Sequence, residues 1–517
     1  MISTMLVATT TSASTGAQVP APRATTADGV VEGITLEGGV RAWRGIPFAA
    51  PPVRGLRWRP PQPPAHWNGV RKADRFADQC TQARVFDDMV FRSAGTSEDC
   101  LYLNVWAPPA SATGARPVLV YFYGGGFVAG DGSEFRYDGA SMARRGIVVV
   151  TVNYRLGAFG FLAHPALAAE SPDGATGNYA LLDQVAALKW VQANARAFGG
   201  DPARVTIGGE SAGSVSVSAL MASPLARGLF ARAIGESGSA LTNHPIPTRA
   251  QAESAGVTFA ALAGASSIAE LRDRSAMEIL AASMAKGAPN WTLDVDGAFL
   301  REQPESAYAA GRQARVPLLA GWNSTELGAW YFGIQGDATP QQMRAILQKT
   351  FGARATDAER YYPLSTPSEA ARSAIMLASD LGIVYETWKW QELHARTSNQ
   401  PVYRYVFAQP RPCAIADCGK SPARATGAVH SAEIEYALGN LATNRVYAWT
   451  AEDHAVGETM ESYFANFVKS GDPNGASLPS WPVFVPSGDG MGMRIGSNSH
   501  TERIDAARLG FLSDNLR

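Results

Sequence analysis

Uninterrupted apolar runs and helical repeats of apolar residues alternate along the middle of the chain. The run 117–123 is apolar and aromatic, stands between a proline and three glycines, and predicts a buried strand. A second run, 147–152, is rich in β-branched residues without polar alternation, as a strand covered on both faces requires. Between 178 and 196, leucine and valine recur at helical spacing, and the turn residues of 198–202 end that helix. A short strand is predicted at 204–207.

This order of strand, helix, strand, turn and helix predicts an α/β fold with a mostly parallel sheet. Further strands are predicted at 316–320 and 402–407, whereas 245–312 and 329–400 are predicted to be mainly helical insertions. We find no internal repeat and no Gly/Ser-rich or charged linker, so residues 28–517 are expected to form one domain.

Residues 1–27 differ in composition from the rest of the chain. They are rich in Ala, Thr, Ser and Pro, with a short apolar patch and no basic start. They are expected to be either a disordered tail or the remnant of a signal peptide, and composition favours neither.

Composition excludes several classes of function. The chain has 517 residues, of which 46% are hydrophobic and 18% charged, so it can bury a large core. The 45 basic and 46 acidic residues give a net charge of −1 without a basic cluster, and no nucleic-acid partner is expected. The longest apolar runs fall far short of the roughly 20 residues of a membrane helix, and no membrane span is expected.

The four cysteines are informative about the compartment. Cys80 and Cys100 stand 20 residues apart, and Cys413 and Cys418 stand five apart. Pairing in that local order would require an oxidising compartment, and we expect a secreted or periplasmic protein. Four buried thiols in a cytoplasmic enzyme remain the alternative.

A candidate nucleophile follows the strand at 204–207. The pentapeptide 209–213 has the pattern Gly-x-Ser-x-Gly and centres on Ser211. The pattern alone is weak, but a strand before it and a helix after it predict a strained turn that exposes the serine hydroxyl. An ordinary Gly/Ser turn is the alternative. Ser254 has a similar neighbourhood without the first glycine or a preceding strand, and we expect it to have no catalytic role.

A serine nucleophile needs a base with a pKa near 7 and a carboxylate that orients this base. Among seven histidines, only His430 lies in a glycine-containing loop that follows a strand. The histidines set aside are His66, His164, His244, His394, His454 and His500. Glu326 follows the strand at 316–320 and gives the order serine, acid, histidine. Spacing also allows Glu326 to be a helix N-terminal carboxylate beside a capping Ser324 or Thr325.

Backbone amides that could bind an oxyanion are expected at two places. Gly124, Gly125 and Gly126 end the strand at 117–123, and no side chain obstructs their N–H groups. Ala212 supplies the amide that follows the serine. A flexible glycine turn is the alternative, but its place between a buried strand and Phe127 favours the functional interpretation.

Three segments together resemble one family. They are 45–58, 98–104 (Glu-Asp-Cys-Leu-Tyr-Leu-Asn) and 198–213, which contains the serine pentapeptide. From about residue 28 onward the chain resembles the type-B carboxylesterase and cholinesterase family of the α/β-hydrolase fold. The resemblance implies a large, mostly parallel sheet with helices on both faces and helical insertions around an active-site gorge.

The resemblance also assigns roles to residues. It implies a serine carboxylic-ester hydrolase with Ser211 as nucleophile, Glu326 as acid and His430 as base. It implies Gly125, Gly126 and Ala212 as oxyanion donors, no metal or cofactor, and a disulfide between Cys80 and Cys100 that closes a loop beside the gorge. The segment 413–418 matches nothing in the family with certainty, and a Cys413–Cys418 disulfide is a hypothesis. Tyr123 stands where many esterases of this fold carry histidine, which leaves the amide donors unaffected.

The substrate is expected to be a small-molecule ester, and the protein a monomer or a weak homo-oligomer. Alternatives are a detoxifying esterase that resembles fumonisin esterases and releases polycarboxylate side chains, and a non-catalytic cholinesterase-like binding module. Specificity residues are expected within 80–100, 127–137, 290–300, 322–332 and 375–390. The aromatic candidates in these ranges are Trp291, Trp322, Trp330, Tyr331 and Phe332, each either a pocket residue or core.

Overall fold

A computed structural model describes residues 20–419, 427–486 and 490–516. The strands are β1 (Arg23–Thr26), β2 (Gly29–Glu32), β3 (Ile34–Thr35), β4 (Arg41–Pro47), β5 (Val70–Lys72), β6 (Gln79–Cys80), β7 (Thr96–Ser97), β8 (Tyr102–Ala107), β9 (Arg116–Phe122), β10 (Val148–Val152), β11 (Gly200–Glu210), β12 (Arg232–Glu236), β13 (Leu318–Asn323), β14 (Val402–Phe407), β15 (Met491–Ile495) and β16 (His500–Arg503).

The α-helices are α1 (Ala140–Arg144), α2 (Gly157–Phe161), α3 (Pro165–Glu170), α4 (Tyr179–Asn194), α5 (Ala212–Ala222), α6 (Arg249–Leu262), α7 (Ile268–Asp273), α8 (Ala276–Ser283), α9 (Pro304–Ala309), α10 (Pro340–Phe351), α11 (Ala355–Ala358), α12 (Pro367–Ser379), α13 (Tyr385–Ser398), α14 (Ile434–Ala437), α15 (Ala451–Ser470) and α16 (Ala506–Asn515). A π-helical segment, Asp380–Val384, joins α12 to α13.

One sheet of 11 strands organises the fold. Its strand order is β16-β15-β14-β13-β12-β11-β9-β10-β8-β4-β3. The seven strands from β15 to β10 run parallel to their neighbours, and the strands at both edges pair antiparallel. The predicted mostly parallel α/β sheet is confirmed. A smaller sheet, β1-β2-β5, and the pair β6-β7 lie outside it.

Helices cover the central strands, which explains their continuous apolar sequence. β10, β13 and β14 are buried along their whole length. α5 packs on β11 and β12, α13 packs on β13 and β14, and α15 lies against β9 and β11. A strand with both faces covered has no polar face, so polar alternation is lost.

The carboxyl ends of the parallel strands meet at one edge of the sheet. Gly209 near the end of β11 pairs with Phe122 at the end of β9, and Asn323 pairs with Phe407 at the ends of β13 and β14. The loops that follow these strands therefore emerge side by side, and they contain the serine, the acid and the glycine turn predicted from the sequence.

Several boundaries differ from those predicted. β11 runs from 200 to 210 rather than 204–207, because pairing with β9 and β12 holds Gly208 and Gly209 in the strand despite their low strand propensity. β13 starts two residues later than predicted. β1 lies inside the predicted N-terminal segment and pairs antiparallel with β2, while residues 1–19 lie outside the described residues.

Candidate active site

Ser211 lies at the sharp turn between β11 and α5. Its backbone has φ 55° and ψ −122°, a conformation that is costly for a residue with a side chain. A Cβ atom at Gly209 would lie 2.6 Å from the Gly213 carbonyl oxygen and 2.7 Å from that of Phe122. The turn therefore requires glycine at this position, and it holds the serine hydroxyl beyond the end of the strand.

The structure brings the three predicted side chains into one hydrogen-bonded row. His430 Nε2 lies 2.9 Å from Ser211 Oγ, and His430 Nδ1 lies 2.7 Å from Glu326 Oε2. The backbone N–H of Asn323 donates a hydrogen bond to Glu326 Oε1 at 2.6 Å, which fixes the Glu326 carboxylate. When the imidazole is neutral, Nδ1 carries its proton toward Glu326, which leaves Nε2 to accept the serine proton.

The loops that carry the acid and the histidine are joined by hydrogen bonds. The Ala428 amide donates to Ser324 Oγ at 3.0 Å, and the Thr325 amide donates to the Ala428 carbonyl at 2.9 Å. Glu326 lies in a turn, and the following 3₁₀ segment starts only at residue 329 without a side-chain cap. The alternative in which Ser324 or Thr325 caps a helix at Glu326 is therefore wrong.

Two further buried carboxylates flank this row, and sequence reasoning missed both. Glu210 Oε1 lies 3.4 Å from His430 Nε2 and accepts a hydrogen bond from Ser431 Oγ at 2.6 Å. Glu433 accepts from Ser237 Oγ at 2.7 Å and from the Asn323 side chain at 2.5 Å. Glu210 had a sequence signal, since it directly precedes the serine, whereas Glu433 had none beyond its nearness to His430.

The carboxylates dominate the electrostatics of the site. Burial lowers the pKa of His430, but the charge of Glu210, followed by the hydrogen bond and charge of Glu326, raises it to about 10. Burial and the charges of Glu210 and Glu326 raise the pKa of Glu433 to about 8. The surroundings therefore favour the imidazolium form of His430, the form that arises when it accepts a proton from serine.

The glycine turn 124–126 packs directly against the serine turn, residues 209–213, which carries Ser211. A Cβ atom at Gly124 would lie 2.7 Å from Glu210 Oε2 and 3.0 Å from Ser211 Cβ. Gly125 and Gly126 have φ of 108° and 60°, values that glycine tolerates at little cost. The backbone of the glycine turn is thus adjacent to Ser211. On the other side of the serine, Ala212 is the first residue of α5, so its N–H group has no acceptor within the helix.

Tyr123 stabilises the backbone from which the glycine turn starts. Its ring stacks on that of Tyr154 with centroids 4.3 Å apart. The Tyr154 hydroxyl donates to the Tyr123 carbonyl at 2.6 Å, and the Tyr123 hydroxyl donates to the Tyr154 carbonyl at 3.2 Å. This reciprocal pair gives Tyr123 a structural role at the position where many esterases of this fold carry histidine.

Two disulfides are present, Cys80–Cys100 and Cys413–Cys418. The first closes the loop 80–100. Met89 of this loop places its Cε atom 3.1 Å from the position that a Cβ on Gly125 would occupy. The loop therefore reaches the glycine turn, as the family resemblance implies.

Removing the first disulfide is expected to destabilise the protein. For a closed loop of this length, the Cys80→Ser/Cys100→Ser variant should lose about 3 kcal/mol of unfolding free energy, chiefly because its unfolded chain gains freedom. Urea unfolding under non-reducing conditions measures the loss. The Cys413→Ser/Cys418→Ser variant opens a much shorter loop and should lose less, about 2 kcal/mol. Equal losses, or none, would contradict the prediction.

The aromatic candidates for a substrate pocket lie in different surroundings. Trp322 is buried in β13, and Trp291 lines a cavity of about 290 Å³ with Phe161 and Asp294. Trp330 and Tyr331 are exposed by 66% and 43%, on the segment that follows residues 324–328, the acid turn that carries Glu326. The side chain of Phe332 is partly buried.

Among the described residues, no group of three or more His, Cys, Asp or Glu side chains is arranged to hold a metal ion. In the same part of the chain, every helix is too short or too polar to cross a membrane.

Comparison with known proteins places these observations in a family. The sequence profile described as "Carboxylesterase family" matches residues 20–512. Fumonisin B1 esterase of Sphingopyxis macrogoltabida is 37% identical over 500 residues, with coverage of 91% of this chain and 86% of the relative. Para-nitrobenzyl esterase of Bacillus subtilis (strain 168) is 35% identical over 480 residues, with coverage of 89% and 92%.

A solved structure of a PNB esterase superimposes with a TM-score of 0.80 at 32% identity, and covers 95% of this chain and 98% of that chain. The predicted α/β-hydrolase fold and ester-hydrolase activity are confirmed. From its sequence, its fold and these relatives, the chain belongs to the carboxylesterase family and is a serine carboxylic-ester hydrolase.

Proposed function

We propose that Ser211, His430 and Glu326 hydrolyse small carboxylic esters through an acyl-enzyme intermediate. The observation that carries this proposal is the continuous row of hydrogen bonds from Ser211 Oγ through the imidazole to Glu326. A serine hydroxyl is a weak nucleophile near neutral pH, and a histidine in hydrogen-bond contact can remove its proton as the new bond forms.

In the first half of the reaction, Ser211 Oγ bonds to the ester carbonyl carbon while its proton passes to His430 Nε2. The tetrahedral intermediate then collapses, the bond to the alkoxy oxygen breaks, and His430 returns the proton to the departing alcohol. In the second half, water donates a proton to His430 and attacks the acyl carbon, and the carboxylic acid leaves as Ser211 regains its proton. Glu326 stabilises the imidazolium in both halves.

The amides of Gly125, Gly126 and Ala212 are proposed to bind the oxyanion of each tetrahedral intermediate. The close packing of the glycine turn against Ser211 supports this role. Such donors are already oriented in the folded protein, so no solvent has to reorganise as the negative charge develops. One such donor lowers the activation free energy by on the order of 3 kcal/mol.

Covalent labelling tests the proposal. A fluorescent alkyl organophosphonate should react with the native protein in a 1:1 ratio, and peptide mass spectrometry should place the adduct on Ser211. Heat-unfolded protein should not react, because the serine then lacks its base. A protein that hydrolyses no p-nitrophenyl ester and takes up no label would match the non-catalytic binding module and overturn the proposal.

Glu210→Gln is expected to shift the pH dependence of activity. Since His430 acts as a base only when neutral, kcat/KM falls as pH decreases through the His430 pKa. The negative charge of Glu210 raises that pKa, so its removal should lower the pKa by about one unit or more and move the acidic limb to lower pH. The plateau rate should also fall, because the imidazolium loses a stabilising charge.

A pH profile of kcat/KM on a neutral p-nitrophenyl ester measures the shift. Glu305→Gln removes the same charge from a half-exposed position paired with Lys389, and its profile should match that of the wild type. An unchanged acidic limb in Glu210→Gln would show that Glu210 does not act on the base.

A fumonisin-type polycarboxylate esterase is the second candidate, because the relative named fumonisin B1 esterase is 37% identical. Such a substrate requires basic groups beside the nucleophile. The charged side chains that act on His430 are instead the carboxylates of Glu210, Glu326 and Glu433, which favours the broader esterase. Release of tricarballylate from a model ester at a rate well above that of neutral esters would favour the narrower candidate.

We further propose a secreted or periplasmic location and a monomeric or weakly associating state. The two disulfides are consistent with an oxidising compartment. Fractionation of the native host with thiol labelling tests the location, and light scattering over a range of concentrations tests the association.

A further inference from the structure

Glu386, on the first turn of α13, faces the loop that follows β12. The Ser239 amide donates to Glu386 Oε1 at 2.9 Å, and Ser239 Oγ donates to the Glu386 carbonyl at 2.8 Å. The Gly238 amide donates to the neighbouring Thr387 Oγ1 at 2.9 Å. The first bond holds one oxygen of the Glu386 carboxylate, and the other two hold the first turn of α13 against this loop.

This carboxylate lies close to the backbone of the nucleophile. Gly238 has φ 148°, and a Cβ atom there would lie 3.0 Å from the Ser211 carbonyl oxygen and 3.6 Å from Glu386 Oε1. The Ser211 backbone and the Glu386 carboxylate thus both pack against Gly238. Glu386 retains partial solvent exposure, unlike the fully buried Glu433.

One oxygen of Glu386 is left for a ligand. Glu326 and Glu433 have both carboxylate oxygens bound by protein groups. Within the described residues, Glu386 accepts only through Oε1, and no lysine or arginine pairs with it. The nearby Lys389 forms an ion pair with Glu305 instead, with 2.7 Å between Lys389 Nζ and Glu305 Oε2. A carboxylate held beside the nucleophile without a counter-ion is costly unless a cation or a proton joins it.

The backbone just before Glu386 is irregular and attached to the acid turn. The π-helical segment Asp380–Val384 leads into α13, and the Leu327 amide donates to Ser379 Oγ at 3.1 Å. A Cβ atom at Gly382 would overlap the Leu327 side chain, so the two segments pack without a gap. π-helical turns inside helices occur frequently at functional sites, where they re-aim the side chains that follow.

The raised pKa of Glu386 is consistent with a carboxylate that has no lysine or arginine partner among the described residues. Burial raises the pKa of its carboxyl to about 8, and the Ser239 amide and His430 offset this only in part. Without a bound cation, Glu386 therefore keeps a proton near neutral pH, and a cation that binds would replace that proton.

The position of Glu386 points to the acyl side of the substrate. The carbonyl oxygen of a bound ester must face the glycine turn, and its alkoxy oxygen must face His430, which returns the proton. The third substituent of the carbonyl carbon is the acyl chain. The Gly238–Ser239 loop packs against the Ser211 backbone and binds Glu386, so an acyl chain that extends toward this loop would approach Glu386.

We propose that Glu386 is a specificity-determining residue that selects esters whose acyl chain carries a cationic nitrogen. Its free oxygen receives the cation, while Oε1 stays on the Ser239 amide. The inference rests on the proposed function of Ser211 and adds a substrate class to it. It also disfavours polycarboxylate acyl groups.

Paired substrates test this preference. The p-nitrophenyl esters of 4-(trimethylammonio)butanoate and 5,5-dimethylhexanoate differ only in a quaternary nitrogen that replaces a carbon. The ratio of their kcat/KM values cancels any general loss of activity. Glu386→Gln keeps an oxygen for the Ser239 amide and should lower this ratio by about tenfold or more, and Glu386→Lys should lower it further.

Controls separate this result from other effects. Glu305→Gln removes a charge from the neighbouring helix α9, and its ratio should equal that of the wild type. Butanoylcholine compared with 3,3-dimethylbutyl butanoate places the same change on the alcohol, and that ratio should not respond to Glu386→Gln. An unchanged acyl ratio, or a response confined to the alcohol pair, overturns the inference while ester hydrolysis stands. Loss of all hydrolysis and of organophosphonate labelling in the wild type would instead overturn the proposed function.

Discussion

The Ser211→Ala variant is expected to lose on the order of 10⁶-fold in kcat while it keeps its fold. The substitution removes only Oγ, so the hydrogen bond between His430 and Glu326 and the packing of the glycine turn remain. Without an oxygen on residue 211, no acyl-enzyme can form, and only slow attack by water is left. Steady-state kinetics on p-nitrophenyl butyrate and a thermal unfolding curve measure the two parts of the prediction.

Ser254→Ala is the matched control for this prediction. Ser254 stands in the same local sequence, Glu-Ser-Ala-Gly, but lies within α6, where its carbonyl accepts a hydrogen bond from Thr258. Its kcat should equal that of the wild type. Steady turnover by Ser211→Ala near the wild-type rate, with no contaminating esterase, would eliminate Ser211 as the nucleophile.

The difference between these two serines was predictable because it depends on local sequence. A strand that ends in glycine and continues as a helix can be recognised within about a dozen residues, and the loops after parallel strands must meet at one sheet edge. The strand ends before Ser211 and Glu326 fit this rule. The strand before His430 ends more than 20 residues upstream, so spacing supported His430 less directly.

The role of Glu326 illustrates where sequence reasoning reached its limit. Spacing alone allowed a helix-capping environment, and only the pairing of β13 with β14 brings the acid turn beside the loop of His430. The family resemblance implies Glu326 as the acid, and the hydrogen-bond distance between Glu326 and His430 supports that role. Pairing between strands that are separated by some 80 residues depends on the whole sheet, and a local pattern does not encode it.

The remaining acidic groups could not be found from sequence at all. Glu433 and Glu386 become relevant through contacts with Ser237 and Ser239, which lie about 150 to 200 residues away in the chain. The π-helical segment before Glu386 contains Gly382 and no proline, and a single glycine within a helical pattern does not separate a π-helical turn from an ordinary helix. Such features result from tertiary packing, and they surround the residues whose chemistry was predictable.

Gly213→Ala is expected to damage both activity and stability. A Cβ atom at this position would overlap the Phe122 carbonyl oxygen and lie 2.9 Å from that of Tyr123. Both oxygens belong to the backbone at the end of β9, which β10 and β11 hold on either side, so they cannot move aside cheaply. Relief requires α5 to shift away, which displaces Ser211 from His430, or the glycine turn to shift, which displaces the proposed oxyanion donors.

Either shift should lower kcat by on the order of 10²-fold and the unfolding free energy by about 3 kcal/mol. Gly510→Ala is the matched control, since Gly510 lies inside α16 with no atom within 4 Å of the added Cβ. That variant should gain up to about 1 kcal/mol, because alanine loses less entropy than glycine in a helix. Wild-type kcat and stability in Gly213→Ala would show that the serine turn has room to spare.

The two active-site variants also separate chemistry from architecture. Ser211→Ala should lose turnover at constant stability, because the lost hydroxyl carries out the reaction but supports no packing. Gly213→Ala retains the hydroxyl, the imidazole and the carboxylate, so its loss of turnover must come from displacement of these groups or of the proposed oxyanion donors. If residual activity in Gly213→Ala still requires Ser211, tested in the double variant, the contribution of positioning is measured separately from that of the nucleophile.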